Sequence, residues 1–516
     1  MRKAQDIGPC ILAVDLGTSA AKAGVFTLDG RELGTATAEY PTAYPQPTWA
    51  EQDPNHWWNA VVVTIRDCLK HVQAKSGKVN AVSISGQAPS CLAVDRRGAP
   101  LRPAILWIDR RATEEVEWIA EHVGAEEVCR VSGNHIDGYF GGPKWLWFRN
   151  KEPELFGRTW KILQAHSYVI FRLTGEIVTD YSHAGLCSPC FDLQKREWSQ
   201  EMCEALGIPL SLLPELAPSH QVAGKVNAEG AKASGLIEGT PIVTGGGDFA
   251  CATLGCGVIE VGQAAQMLGT AGNLLVPMGK SIKPDPRLLN TLHVTGDYLT
   301  LGSIYAGGVL QWFRDQLGGP EIEEGRRVDK SAYRLLDERA ADIPPGADGL
   351  LLLPYLMGER TPIWDPYARG VYIGLTPYHT RAHMYRAALE GVAFGFRHMA
   401  EIIEQQGVHI EEIRAVNGGA RSPLWRQIFA DVLNARIDYA IGGAATLLGN
   451  VALAGVGVGL FSGFDVVKKM QQILETQEPN PSAHELYAEY YKLYRRIYLQ
   501  LKEQFRELVE LGKQSQ

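Results

Sequence analysis

Four apolar segments of this chain each run straight into a glycine-rich turn, and two of those turns carry an acid. The turns are Asp15-Leu16-Gly17-Thr18-Ser19, Thr244-Gly245-Gly246-Gly247-Asp248, Leu268-Gly269-Thr270-Ala271-Gly272 and Asn417-Gly418-Gly419-Ala420. One such turn is an ordinary strand end. Four of them describe a backbone that must come close to something, because glycine removes the Cβ and leaves N–H groups free to wrap an anion. None has the G-x-x-x-x-G-K-[ST] spacing of a P-loop. Phosphoryl transfer is mostly positioning and electrostatic stabilisation, so it asks for these parts: backbone donors, a carboxylate to take a proton, and acids to hold a cation. Phosphate handling is the first functional expectation.

With 516 residues the chain exceeds one ordinary core. Residues 10–40 read as three short strands with tight turns, Asp29-Gly30 being a hairpin signal. Asp53-Pro54 opens an amphipathic helix over 53–75, strands follow at 79–85 and 91–95, and 112–131 and 143–172 are mostly helical in period. Pro241–Gly247 is a strand that delivers Asp248. The pattern then starts afresh, with strands at 264–276, 289–295 and 298–302 and helices from about 306, over 380–405 and 423–434, and in the charged tail 482–511. Two units that each begin with strands and end with helices imply an α/β protein divided near residue 255, into 1–255 and 256–516.

Composition narrows the partners. A net charge of −8 without a basic stripe argues against nucleic acid. The nine cysteines are scattered, and the lone Cys187-x-x-Cys190 pair has no second pair to complete a zinc set, so reduced thiols in the cytoplasm are expected. Residues 1–15 lack the apolar length of a signal peptide. Tyr439 to Phe464 is uncharged and long enough to span a bilayer, but Gly442, Gly443, Gly449, Asn450, Gly455, Gly457, Gly459 and Gly463 break it. A small-residue helix packed tightly in a core is expected there, and no membrane association.

The stretch Gly370 to Glu390, GVYIGLTPYHTRAHMYRAALE, resembles a signature of the FGGY carbohydrate kinases, with Gly370, Tyr372, Gly374, His383, Ala387 and Glu390 in the matching places. Similar stretches are WAEQDPNHWW (49–58), LWIDRRA (106–112), GERTPIWDPYARG (358–370) and NGGARSPLWRQIFADVL (417–433), and YFGGPKWLW (139–147) is a looser match that keeps Lys144 and Trp147. The resemblance runs from about residue 10 to residue 460.

That resemblance implies a two-lobed actin-like ATPase (ribonuclease H-like) fold with a central cleft, an N-terminal lobe for sugar and γ-phosphate and a C-terminal lobe for nucleotide. It implies Asp248 as catalytic base, and Asp15, together with Asp248, as the metal site for Mg2+. Gly17, Thr18 and Ser19 would face the γ-phosphate of ATP. Gly269 and Thr270, with Gly307, Gly308 and Gln311 of the AGGVLQW segment, would hold the inner phosphates, and Gly418 and Gly419 would seat adenine. Gln87, Trp107, Asp109, Tyr139 and Phe249 would bind the sugar or polyol, since aromatic faces pack on sugar C–H surfaces while amides and carboxylates receive hydroxyls. Read without the family, Trp107 and Tyr139 are core aromatics and Asp109 a partner of Arg110 or Arg111. A homodimer is the assembly common in the family.

The motifs around 244–272 are most similar to xylulokinases, which makes D-xylulose the first acceptor to consider. Two departures touch the pocket. Ala88-Pro89 follows Gln87 where xylulokinases have Met-His, and Phe249 follows the acid where they have Asn. Erythritol, ribulose or gluconate are therefore alternative acceptors, and a non-catalytic actin-like nucleotide or sugar sensor is the alternative from another class. The intact pair Asp15 and Asp248 argues against a sensor, because a pure binder needs no base.

Overall fold

The computed structural model of the protein describes residues 8–73, 78–440 and 445–514. The basic residues before Gly8, and Gly442 and Gly443 of the uncharged stretch, lie outside the described residues. The chain forms two compact units: Met1–Ile259 with Met278–Leu299 and Ala444–Gln471, and Glu260–Pro277 with Thr300–Gly443 and Gln472–Gln516. The expected division near residue 255 marks only where the chain first leaves the first unit. Residues 278–299 and 444–471 return to it, and sequence periodicity has no signal for such returns.

The first unit is built on a six-stranded sheet in the order Val222–Lys225, Pro241–Gly247, Lys78–Gly86, Pro9–Leu16, Ala20–Thr27, Glu32–Glu39. The three middle strands, Pro241–Gly247, Lys78–Gly86 and Pro9–Leu16, are parallel, and the hairpin from Pro9 to Glu39 is antiparallel. Their side chains alternate across the sheet. Leu12, Val14, Val82 and Ile84 join one core with Trp57, Val61 and Ile65 of the helix Pro54–Gln73 and Tyr168 of the helix Ala165–Thr174. Ser83 and Ser85, on the other face, meet the helix Ala445–Gly457 through Asn450. Asp53 opens its helix as expected, its carboxylate accepting the Asn55 N–H at 2.9 Å.

The helix Ala445–Gly457 lies in the uncharged segment, and its glycines are there for contact. A Cβ at Gly449 would fall 1.9 Å from the Cys251 carbonyl oxygen, and one at Gly255 would fall 1.7 Å from that of Ala445. The helices Asp248–Gly255 and Ala445–Gly457 thus pack backbone to backbone. No helix among the described residues is long and apolar enough to cross a membrane. All nine cysteines are free, and Cys187 and Cys190 are buried thiols pushed to higher pKa, Cys187 chiefly by desolvation and Cys190 first by its contact with Cys203.

In the second unit six strands adjoin in the order Tyr298–Tyr305, Ala271–Gly279, Gln263–Leu268, Glu412–Val416, Arg436–Ala440, Ile473–Gln477. Here too an antiparallel hairpin precedes parallel strands, since Gln263–Leu268 pairs antiparallel with Ala271–Gly279 and parallel with Glu412–Val416. The same Leu-Gly-Thr sequence turns the first hairpin in both units, at Leu16-Gly17-Thr18 and Leu268-Gly269-Thr270. The expected helical run 143–172 is interrupted by the strand Lys161–Leu163, which pairs with Leu92–Val94; that partner lies about seventy residues upstream, out of reach of a local pattern.

Candidate active site

Parallel register decides where the acids of the first unit meet. Asp15 pairs with Ser85, and Ser85 with Gly246. The strand ends therefore deliver Asp15, Gln87 and Asp248 side by side at the carboxyl edge of the sheet, where open α/β sheets bind ligands. Asp248 begins the helix Asp248–Gly255, and its Oδ1 accepts the Phe249 N–H at 2.7 Å.

Desolvation first, and the like charge of Asp15 second, push the Asp248 carboxyl up to about 7. Asp15 is raised by desolvation as well, against the opposing pull of a 2.7 Å hydrogen bond from Ser85 Oγ and the charge of Lys22. Two neighbouring carboxylates in this state fit a divalent cation, which would offset their repulsion. Ser85 also accepts a hydrogen bond from Asn450 Nδ2 at 2.7 Å, and the same amide donates to the Val14 carbonyl at 3.1 Å. Tyr40 joins the group: its hydroxyl donates to the Gly17 carbonyl at 2.5 Å, and desolvation and then Asp15 and Asp248 raise its pKa.

Polar contacts link this edge to the expected sugar residues. Gln87 Nε2 donates to Gln52 Oε1 at 2.9 Å, and Gln52 Nε2 donates to the Thr18 carbonyl at 2.6 Å. Gln87 Oε1 is buried with no hydrogen-bond partner among the described residues, so it can accept a substrate hydroxyl. Trp107 Nε1 donates to Thr18 Oγ1 at 3.0 Å, and the ring stands edge-on to Tyr139 with centroids 6.2 Å apart. Tyr139 donates to the Ala88 carbonyl at 3.1 Å. Lys144 fixes the Tyr139 turn from below by donating to its carbonyl at 2.6 Å, and burial lowers this ammonium to about 7. Phe249 is half-buried beside Asp248, and Ser19 is exposed.

Asp109 is placed differently. It is fully buried, receives Arg111 Nη2 at 2.8 Å and the Ala50 N–H at 2.6 Å, and so spends its oxygens on the protein. Arg111 lies in turn 3.7 Å over the Trp49 ring. This geometry matches the ion pair rather than a sugar contact.

Tyr40, Gln52, Ser85 and Asn450 belong to the site and were not singled out from the sequence. Gln52 lies inside the WAEQDPNHWW stretch, and Asn450 is the one amide in an uncharged helix, so each had a signal. Tyr40 and Ser85 had none.

In the second unit, the expected phosphate turns are knitted together. Gly307 N–H donates to the Gly269 carbonyl at 3.0 Å, and Ala306 and Gly308 N–H donate to the Thr270 carbonyl at 3.1 and 3.0 Å. A Cβ at Gly307 would fall 2.3 Å from the Gly269 oxygen, so glycine is required for this approach. The helix Gly307–Leu317 starts here and carries the exposed Gln311. Gly418 is open to solvent with nothing within 4 Å of a Cβ, whereas one at Gly419 would meet the Trp425 ring at 2.7 Å. Gly418 is thus exposed backbone at the start of the tight turn Gly419–Arg421, and Gly419 is packed beneath.

Comparison with known proteins bears on these features. The model of the FGGY family of carbohydrate kinases, N-terminal domain, matches residues 10–255, and that of the C-terminal domain matches residues 264–458. A xylulose kinase of Bacillus subtilis is 31% identical over 502 residues, covering 96% of this chain and 97% of that protein. A glycerol kinase of Thermococcus onnurineus is 32% identical over 469 residues, covering 89% and 91%. The crystal structure of xylulose kinase from Rhodospirillum rubrum superposes with a TM-score of 0.90 at 31% identity, covering 96% of this chain and all of that one.

Proposed function

This chain belongs to the FGGY family of carbohydrate kinases, with the two-lobed actin-like ATPase fold of that family, and from that membership we propose that it moves the γ-phosphoryl group of Mg-ATP onto a hydroxyl of D-xylulose, giving xylulose 5-phosphate. The observation that carries the mechanism is the parallel register that sets Asp15, Gln87 and Asp248 at adjacent strand ends. Asp248, raised to about 7, is a base matched to neutral pH. It takes the hydroxyl proton as the acceptor oxygen bonds to the γ-phosphorus and the bond to the bridging oxygen breaks, releasing ADP with no covalent enzyme intermediate.

Asp15 and Asp248 would hold Mg2+, which when bound offsets the charge of the triphosphate. Gln87 Oε1 receives an acceptor hydroxyl, and Trp107, Tyr139 and Phe249 supply apolar faces. Gly17, Thr18 and Ser19 face the γ-phosphate; Gly269, Thr270, Gly307, Gly308 and Gln311 hold the inner phosphates, and Gly418–Gly419 seats the base. Asp109 acts on the pocket only by fixing the loop that carries Trp107.

Ala88-Pro89 and Phe249 favour a second reading, transfer to another sugar or polyol, and the similarity to a glycerol kinase supports keeping it. ADP release is to be measured with Mg-ATP against xylulose, ribulose, glycerol, erythritol and gluconate. Xylulose stimulating most supports the first reading, and another acceptor doing so replaces it. Asp248→Ala is expected to bind nucleotide but lose at least ~10² in turnover. Wild-type turnover by that variant would sink the mechanism. A homodimer, the family's common assembly, is tested by sedimentation of the full chain.

A further inference from the structure

A buried polar cluster outside the residues considered so far lies against the turn that carries Asp248. Asp180 ends the strand Val178–Asp180 and has no solvent exposure. Its Oδ1 accepts His183 Nδ1–H at 2.6 Å, and its Oδ2 accepts Ser182 Oγ–H at 2.5 Å, Ser182 N–H at 2.8 Å and Ser219 Oγ–H at 3.2 Å. Ser182 gives its one hydroxyl proton to Asp180, which leaves its lone pairs for the Gly247 N–H at 2.9 Å. The Ser219 carbonyl takes the Gly245 N–H at 2.9 Å. Both amides of the glycine turn that these bonds reach are therefore held by residues bonded to a single carboxylate.

The cluster reaches the neighbouring strand end as well. His166 stacks on His183 with ring centroids 3.8 Å apart and planes 17° from parallel. A Cβ at Gly86, just before Gln87, would fall 3.2 Å from the His166 backbone nitrogen. His166, Asp180 and His183 bring ligand-type atoms within 4.8 Å of one another. A shared metal ion is nevertheless poorly served, because imidazole lone pairs lie in the ring plane and two near-parallel rings cannot converge on one ion. Of the two rings only His183, through Nδ1, is hydrogen-bonded to Asp180, while both ring nitrogens of His166 are buried with no hydrogen-bond partner among the described residues, so His166 contributes by stacking.

A glycine turn needs such support. Gly245, Gly246 and Gly247 have no side chains to pack, Gly245 sits at φ +69°, and glycine loses more conformational freedom on ordering than any other residue. Beside the pairing of Gly246 and Gly247 with Ser85 and Gly86, hydrogen bonds to its amides help fix where Asp248 leaves the strand.

We propose that Asp180, acting through Ser182, is a positioning residue for phosphoryl transfer: the pair fixes the Gly247 peptide and so aims the Asp248 carboxylate. This rests on the reading of Asp248 as the base. Ser182→Ala is the direct test in the full chain, with Asp180→Asn as the second variant, Asp248→Ala in parallel, and Ser167→Ala as control, since Ser167 is buried and makes no bond to the turn. A misplacement on the order of 1 Å costs up to ~10², so Ser182→Ala is expected to lose about 10- to 100-fold in kcat while KM for sugar and for ATP stays within about threefold. Asp180→Asn should show the same split, and it decides alone where Ser182→Ala does not fold. Ser167→Ala should keep wild-type kcat. Wild-type kcat in folded Ser182→Ala, beside an inactive Asp248→Ala, overturns the positioning role and leaves the base in place. Equal loss in kcat and both affinities, tracking a lowered melting temperature, overturns it too. Turnover by Asp248→Ala would instead remove the base reading on which the inference stands.

Discussion

Gly449→Ala sets two effects of opposite sign against each other. In the interior of the helix Ala445–Gly457, alanine replaces a residue poorly suited to a helix and by itself would stabilise by about 1 kcal/mol. Its Cβ, however, would sit 1.9 Å from the Cys251 carbonyl oxygen and 2.8 Å from the carbonyl carbon. Ordinary contact begins nearer 3.5 Å, so the two helices must part locally by about 1.5 Å. Overpacking costs about 1–3 kcal/mol, and here the obstacle is backbone, which cannot rotate away as a side chain can. The upper part of that range applies, giving a net loss of about 1–2 kcal/mol. The same shift moves both ends of the site. One helix starts with Asp248, and the other carries Asn450, whose amide donates to Ser85 and to the Val14 carbonyl. Turnover should drop by about 10- to 100-fold. Thermal unfolding followed by circular dichroism, with ADP release at 25 °C, reads both effects. A melting temperature at or above wild type, with normal turnover, would mean that helix propensity wins and that the glycine contact is not tight.

Three further outcomes follow from named contacts. Gln87→Ala removes the buried amide oxygen left for an acceptor hydroxyl, so KM for the sugar should rise about tenfold with KM for ATP unchanged; equal effects on both would refute the assignment. Gly419→Val drives a side chain toward the Trp425 ring and Leu268, and should raise KM for ATP about tenfold while sparing the sugar; an unchanged KM for ATP would count against the adenine seat. His293 is buried, and desolvation holds its imidazole down to about 4, with Asp297 opposing. Between pH 6.5 and 4 only the unfolded chain takes up this proton, so the histidine's contribution is present above that window and lost as pH falls through it, by on the order of 3 kcal/mol in all. His293→Gln should flatten the pH dependence of the urea midpoint over that range relative to wild type, and parallel curves would contradict the argument.

Strands, turns and the acids at their ends were legible locally because each depends on a few adjacent residues. Ile11–Val14 must be a strand, and Gly17 and Gly247 must end strands near backbone. Asp53-Pro54 announced its helix. Gly449 in the uncharged segment correctly argued for tight packing, although the backbone it meets, that of Cys251, lies some two hundred residues upstream. Asp109 shows the limit within the site itself. The motif LWIDRRA names an acid beside arginines, and only folding chooses Arg111 and removes the carboxylate from solvent.

By itself, then, the sequence determined the residue kinds: apolar strands, glycine turns, an acid in each of two of them, and a family signature from Gly370 to Glu390. Tertiary structure alone decided what they do to one another. Parallel pairing aligned Asp15 with Ser85 and Ser85 with Gly246, so that the charge of Asp15 helps raise the pKa of Asp248, an acid far away in the chain. Returning segments supplied Asn450, and the strand end at Asp180 supplied Ser182 and His183. The physical reason is that strand propensity and turn chemistry act over a few residues, whereas charge coupling, desolvation and hydrogen-bond support depend on distances that only the folded chain defines.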